Sequence, residues 1–455
     1  MSSNVDRGDG PELRILISER TLSRRRMLLS SLAGAAGLAL GAGSREAAAA
    51  AQSVTSLTYS GQRWGAVQEA MAPAFSKASG VKAKIITFPI SQGYARILNA
   101  LGTGSKEYDL IDLDYGILAQ IADKLTPLDD YLKKDAAYRQ DYEGSVPQSV
   151  RGLYQFDGNQ LGGGTTYGIA NDGNTQLGFY RTDVFEKAGI KAPPATWDEA
   201  LAVAKELTVD TPAGKQYGFT TNGKRGIYSS TLFGQVLFSY GGNWLAKNNA
   251  PTLTTPEAEA ALSTIEKLMK YADPSTVNSA DNETINAMAS GVAVYSPNAW
   301  GNNAFTNPKL NKYAEVTKAI VVPRGTGPNA KNAPLMGGFG FVIPKASRHK
   351  EAAWKFIQYF TAKDNMKAYV EASGQPARID ALKEFASTAP LFGALAEGLP
   401  NGVYQPGWLR DQSGFYEALG TQVSLVMTGQ KSVTDALKQA QDDCTAVLKR
   451  SGDLK

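Results

Sequence analysis

Chemistry in this 455-residue chain is limited first by what it lacks: there is one histidine, His349, and one cysteine, Cys444. A lone thiol forms no internal disulfide, and a lone imidazole removes most triad and metal-cluster chemistries together. Cys444 is expected to pack on a C-terminal helix, and His349, in Ser347-Arg348-His349-Lys350, to lie on the surface at a polar helix start. No nucleophile–base motif, metal cluster or cofactor motif is present, so no catalytic residue, metal ligand or cofactor is assigned. A carboxylate pair is not excluded by counting alone.

What remains are polar and aromatic residues in loop contexts. Gln62 and Trp64 follow the first apolar run; Trp64 is either a stacking platform or the first core residue of the next helix. Asp114 ends another run and serves either as an acceptor for two ligand hydroxyls or as a solvated helix cap. Asp172 and Asn174 sit in Asn171-Asp172-Gly173-Asn174, a composition that also suits a plain turn. Trp244 and Trp300 are loop tryptophans, and a core position is the usual explanation for either. Gly338, beside Phe339, lets a backbone N–H approach a ligand, or serves tight packing. Arg378 offers a fork to a pair of hydroxyls or to an acid, against an ordinary salt bridge. Arg410 is a weaker candidate.

The elements that would position these residues read as α/β. Val54–Tyr59, Val81–Thr87 and Asp109–Leu113 read as strands, separated by a helix carrying Val67, Met71, Ala74 and Phe75 and another over Tyr94–Leu101. Thr196-Trp197-Asp198-Glu199 is a capping box, with Trp197, Leu201 and Ala204 on one face. Thr255-Pro256-Glu257 opens a helix with the buried stripe Ala258, Ala261, Leu262, Ile265 and Leu268. After a strand at Gly340–Pro344, a Ser347-led helix carries Ala353, Phe356, Ile357 and Phe360. No repeat or long linker interrupts residues 52–455.

The N-terminal segment reads as an export signal. Ser23-Arg24-Arg25-Arg26-Met27-Leu28-Leu29 has the twin-arginine pattern, followed by a mildly apolar stretch to about Gly43 and small-residue cleavage choices around Ala49–Ala51. That stretch is short for a spanning helix, and no cysteine follows it to carry a lipid. The formal net charge of +4 includes two units from this segment. The nearly balanced remainder argues against nucleic acid as a partner.

Five ordered segments resemble the extracellular solute-binding proteins that serve sugar-type ABC importers. They are Tyr108–Asp114 with Leu125-Thr126-Pro127-Leu128; Tyr167-Gly168-Ile169 with Phe179–Ile190 and Pro193–Glu199; Ala287–Ala293 with Trp300; Met336–Pro344 with Ala352–Phe356; and Ser373–Arg378. The resemblance implies a two-lobed periplasmic-binding-protein fold, each lobe a mainly parallel sheet flanked by helices, closing on a ligand in the cleft between them. It implies lobe one over 52–168 plus 336–378 and lobe two over 169–335 plus 379–455. It further implies a periplasmic, non-enzymatic, monomeric receptor that passes a carbohydrate to membrane permease subunits, with a polyol or acidic sugar as the alternative. It puts 171–174 where the chain crosses at the cleft and Trp300 where a ring often stacks on sugar. The full ligand-binding set is Gln62, Trp64, Asp114, Asp172, Asn174, Trp244, Trp300, Gly338, Phe339 and Arg378.

Overall fold

The computed structural model describes residues 52–212 and 214–455; the leader and its cleavage site lie outside the described residues. Nine strands position the site: β1 (Ser53–Tyr59), β2 (Lys82–Phe88), β3 (Leu110–Asp114), β4 (Gly168–Ala170), β5 (Asn174–Arg181), β6 (Tyr295–Trp300), β7 (Thr317–Ile320), β8 (Met336–Gly337) and β9 (Phe339–Val342). The first sheet has the order β2-β1-β3-β9-β4, with β1 parallel to both β2 and β3, and β9 antiparallel to β3 and β4. Helices α1 (Arg63–Ser79) and α2 (Ile90–Gly102) provide its crossovers.

On α1 the buried face is Trp64, Val67, Gln68, Met71, Ala72 and Phe75. Ala74, expected on that face, is exposed and Ala72 takes its place. The expected strands fall within a residue or two of their sequence positions.

The second sheet centres on β5, flanked by β6 and β7, with β8 pairing its start. Here the mainly parallel expectation needs correcting. All strand pairs in this sheet are antiparallel, and parallel neighbours survive only as single bridges such as Tyr217–Ala293 and Phe219–Ala272. The cause is β5 itself, which enters from the first sheet and runs through the middle of the second.

Helices that pack on this half include α3 (Trp197–Glu206), α4 (Ile227–Ser239), α5 (Pro256–Met269) and α6 (Asp281–Ser290). The capping box forms as its residue types require: Thr196 Oγ1 accepts from Glu199 N, and Glu199 Oε2 accepts from Thr196 N. The whole predicted stripe of α5 is buried.

Beyond β9, α7 (Lys350–Thr361) buries Ala353, Phe356, Ile357 and Phe360. Ser347 does not cap it; its hydroxyl donates to Asp109 Oδ1, and His349 is half-exposed beside the same carboxylate. The chain ends in α8 (Phe392–Gly398), α9 (Gln412–Met427) and α10 (Val433–Ser451), where Cys444 is buried. Two apolar cores result, one around Leu57, Phe75, Ile111, Phe341 and Phe356, the other around Trp197, Phe233, Trp244, Ile265 and Phe415.

Three segments lie side by side between the sheets. Asn171 N and Asp172 N both donate to Phe339 O, Gly173 N donates to Gln375 O, and Gln375 Nε2 donates to Gly173 O. Gly338 is the tightest point, with φ +129° and a would-be Cβ 2.6 Å from Asp172 O. Only glycine fits there. Among the described residues, no helix is long and apolar enough to cross a membrane.

Candidate functional site: a cleft between two sheets

Because β1, β2 and β3 run parallel, their C-terminal ends open on one edge, where open α/β sheets present their ligand crevice. The segments after all three strands, carrying Gln62 and Trp64, then Tyr94, then Asp114, line one cleft of about 1170 Å³. The facing wall comes from the second half: Asn222, Tyr228, Asp281 and Trp300. Asn174 and Gly337–Phe339 line it from the connecting segments.

Seven of the ten sequence candidates therefore meet in one place: Gln62, Trp64, Asp114, Asn174, Trp300, Gly338 and Phe339. Trp64 packs on Phe339 with ring centroids 3.7 Å apart and a 36° tilt, with Tyr59 set edge-on to both. Most of the Trp64 ring is thus spent on its neighbours, and Trp300 is the more exposed of the two cleft tryptophans.

Asp114 Oδ2 accepts from Tyr94 Oη at 2.6 Å and Oδ1 accepts from Gly116 N at 2.8 Å. Burial pushes its carboxyl above the ordinary range, and these two hydrogen bonds offset part of that. Opposite, Asp281 accepts from Asn222 Nδ2 and Tyr228 Oη, and burial raises it too. Deeper in the cleft, Gln405 Nε2 donates to Tyr115 Oη and Met336 O, while Tyr416 Oη donates to Gln405 Oε1.

The other three candidates are corrected. Asp172 is fully buried and accepts from Arg63 Nε at 2.6 Å and Nη2 at 2.9 Å, so it holds the cleft wall from behind. Trp244 is 1% exposed in the second core, with Phe238, Phe415 and Tyr416 set around it. Arg378, 2% exposed, is enclosed by Asp141, Asp380, Ser145 and the Thr361 carbonyl, leaving it no reach toward a ligand. Trp244 and Arg378 take the alternatives expected of them, a core ring and a salt bridge, whereas Asp172 is one half of a buried ion pair where the turn composition offered only a plain turn.

Sequence reasoning missed Arg63, Tyr94, Asn222, Tyr228, Asp281 and Gln405. Arg63 and Tyr94 carried a usable signal, since each sits on the helix that begins at a strand's C-terminal end. Asn222, Asp281 and Gln405 carried none, because only long-range packing brings their segments to the cleft.

The family model for bacterial extracellular solute-binding proteins matches residues 60–367, a span that holds the cleft residues from Gln62 to Phe339 and stops short of Gln405 and Tyr416. The chain belongs to that family. This solute-binding protein is similar, at 25% identity over 88% of its length and 92% of the relative's, to a probable amino-acid ABC transporter periplasmic-binding protein, y4oP, of Sinorhizobium fredii. It is also similar to the mannitol-binding protein of Pseudomonas aeruginosa, at 27% identity over 64% of this chain and 71% of that one. Among solved structures, a ribitol complex of an ABC transporter solute-binding protein from Agrobacterium radiobacter has the same two-lobed fold. Its TM-score is 0.71 at 23% identity, covering 87% of this chain and 98% of that one.

Proposed function

We propose that this protein is the receptor of an ABC importer that captures a carbohydrate or polyol by closing its lobes and delivers it to the membrane permease. The observation that carries the reading is the composition of the cleft. The ring of Trp300, the more exposed of the two cleft tryptophans, stands with acceptors at Asp114, Asp281 and Asn174, contributed from both halves. Rings suit the C–H faces of a sugar, and carboxylates and amides suit its hydroxyls. A ligand touching both walls favours the closed state through its differential contacts.

The similarity to a mannitol-binding protein and to the ribitol complex supports the polyhydroxylated class. An amino-acid cargo would want an unpaired cation deep in the cleft for the carboxylate. Arg63 is already engaged by Asp172, and Arg410 is exposed at the rim.

We assign 52–168 plus 336–378 to lobe one and 169–335 plus 379–455 to lobe two. The chain changes sheet at 171–173, between β4 and β5, and at Gly338, between β8 and β9, within a few residues of the limits at 168 and 336. Export by the twin-arginine route, with cleavage near Ala49–Ala51, action as a monomer and the absence of catalysis and of nucleic-acid binding complete the reading.

The test is a thermal-shift panel of sugars, polyols, sugar acids, amino acids, polyamines and metals on the mature protein, followed by calorimetry on each hit. A bound ligand raises the melting temperature by mass action. A carbohydrate or polyol should shift it, and Trp300→Ala should weaken that ligand about tenfold, as expected for one lost stacking contact. A panel in which only a metal, polyamine or amino acid shifts the protein overturns the assignment, as does turnover of a glycoside by the purified chain.

A further inference from the structure

The charge of the cleft goes further than its shape. Four carboxylates, Asp114, Asp281, Asp411 and Glu417, line it against two guanidiniums, Arg63 and Arg410. The pairing is uneven. Arg63 is held by Asp172 from behind the wall, and Glu417 is 2.8 Å from Arg225. Asp411 caps the start of α9, and Arg410 is exposed beside it at the rim.

Asp411 is engaged in that cap without an ion pair, and Asp114 and Asp281, one from each half, likewise have no ion-pair partner among the described residues. Among the described residues their donors are neutral: Tyr94 and Gly116 on one side, Asn222 and Tyr228 on the other. Asn222 must turn its Nδ2 to Asp281, and its Oδ1, on a residue 5% exposed, has no partner among the described residues. The unmet demand on this wall is therefore for donors and positive charge.

We propose that the ligand is a polyhydroxylated solute carrying a cationic nitrogen, an amino sugar or amino polyol, with Asp114 and Asp281 as the charge-selecting residues from the two lobes. This rests on the carbohydrate reading and replaces the acidic-sugar alternative, whose supporting arginine, Arg378, is enclosed by Asp141 and Asp380. On closure the two carboxylates approach one small ligand. A neutral ligand leaves their repulsion in place, an anionic one adds to it, and an ammonium relieves it.

The experiment takes the best neutral binder from a sugar and polyol panel and compares its amino, neutral and acid forms by calorimetry at pH 7. The amino form should bind at least tenfold more tightly than the neutral one, and that ratio should fall as salt is raised from 0.02 to 0.5 M. The acid form should be the weakest. Asp281→Asn and Asp114→Asn, each checked for an intact melting transition, should both reduce the amino-to-neutral ratio to within about threefold of one. Two substitutions keep the test open should one variant misfold.

Equal or tighter binding of the neutral form, or tightest binding of the acid, overturns the proposal while leaving the carbohydrate receptor standing. Failure of every sugar, amino sugar and polyol to bind overturns both.

Discussion

Arg63→Met is the most direct probe of how the cleft wall is held. The methionine keeps most of the stem and removes the guanidinium, which is the only side-chain or backbone donor to the Asp172 carboxylate among the described residues. Asp172 is 0% exposed at its side chain, whereas Arg63 is 19% exposed. Removing one partner of a buried pair costs about 3–5 kcal/mol, mostly because the other charge is left unpaired. Water can reach the Arg63 edge, so the low end, about 3 kcal/mol, applies.

With about 2 cal/mol/K of unfolding entropy per residue over roughly 400 residues, that loss lowers the melting temperature by only about 3–4 °C. Urea unfolding, read by tryptophan fluorescence, is the better assay. The double variant Arg63→Met/Asp172→Asn removes the stranded charge and should recover more than half of the loss, which a merely steric role for Arg63 would not allow. If Arg63→Met falls within 1 kcal/mol of the parent, or if the double variant is less stable than the single one, the pair is not what anchors the crossing to α1.

Two further outcomes follow from the same region. Burial, more than the nearby charge of Asp172, lifts the Asp112 carboxyl to about 7, against hydrogen bonds from Asn171, Thr58 and Gln68 that lower it. Its folded value then lies above the unfolded one of about 3.9, so the native state holds a proton that the unfolded chain releases. That contribution to stability is complete below about pH 4 and is lost as pH rises to 7. The stability difference between the parent and Asp112→Asn should therefore change between pH 4.5 and 7.5 and level off above, and a difference independent of pH would refute the assignment. Gly338→Ala combines a positive φ with a backbone oxygen 2.6 Å from the new methyl, whereas Gly327→Ala has φ +109° and open space. Urea titration should show the first costing at least about 2 kcal/mol and the second only about 1 kcal/mol; equal losses would mean that the crossing can move aside.

What could be read from the sequence divides by the range of the interaction that decides it. The Thr196 cap, the α5 stripe and the two strand–helix steps before β3 are set by residues within a few positions of one another, and all are present. The parallel run of β1, β2 and β3 followed from those steps, and with it came the strand-end rule that brought Gln62, Trp64 and Asp114 to one edge. The antiparallel second sheet did not follow, because the path of β5 depends on partners at 295–300 and 317–320. The three misplaced candidates failed for the same reason. Asp172 meets its arginine across 109 positions, and Arg378 meets Asp141 across 237; a loop composition rich in turn residues says nothing about such a partner. A charged residue in a promising loop is thus a site candidate only until its neighbours are known. Here two acids without an ion pair among the described residues, Asp114 and Asp281, came from opposite halves, and only one of them ended a strand where the local pattern could point to it.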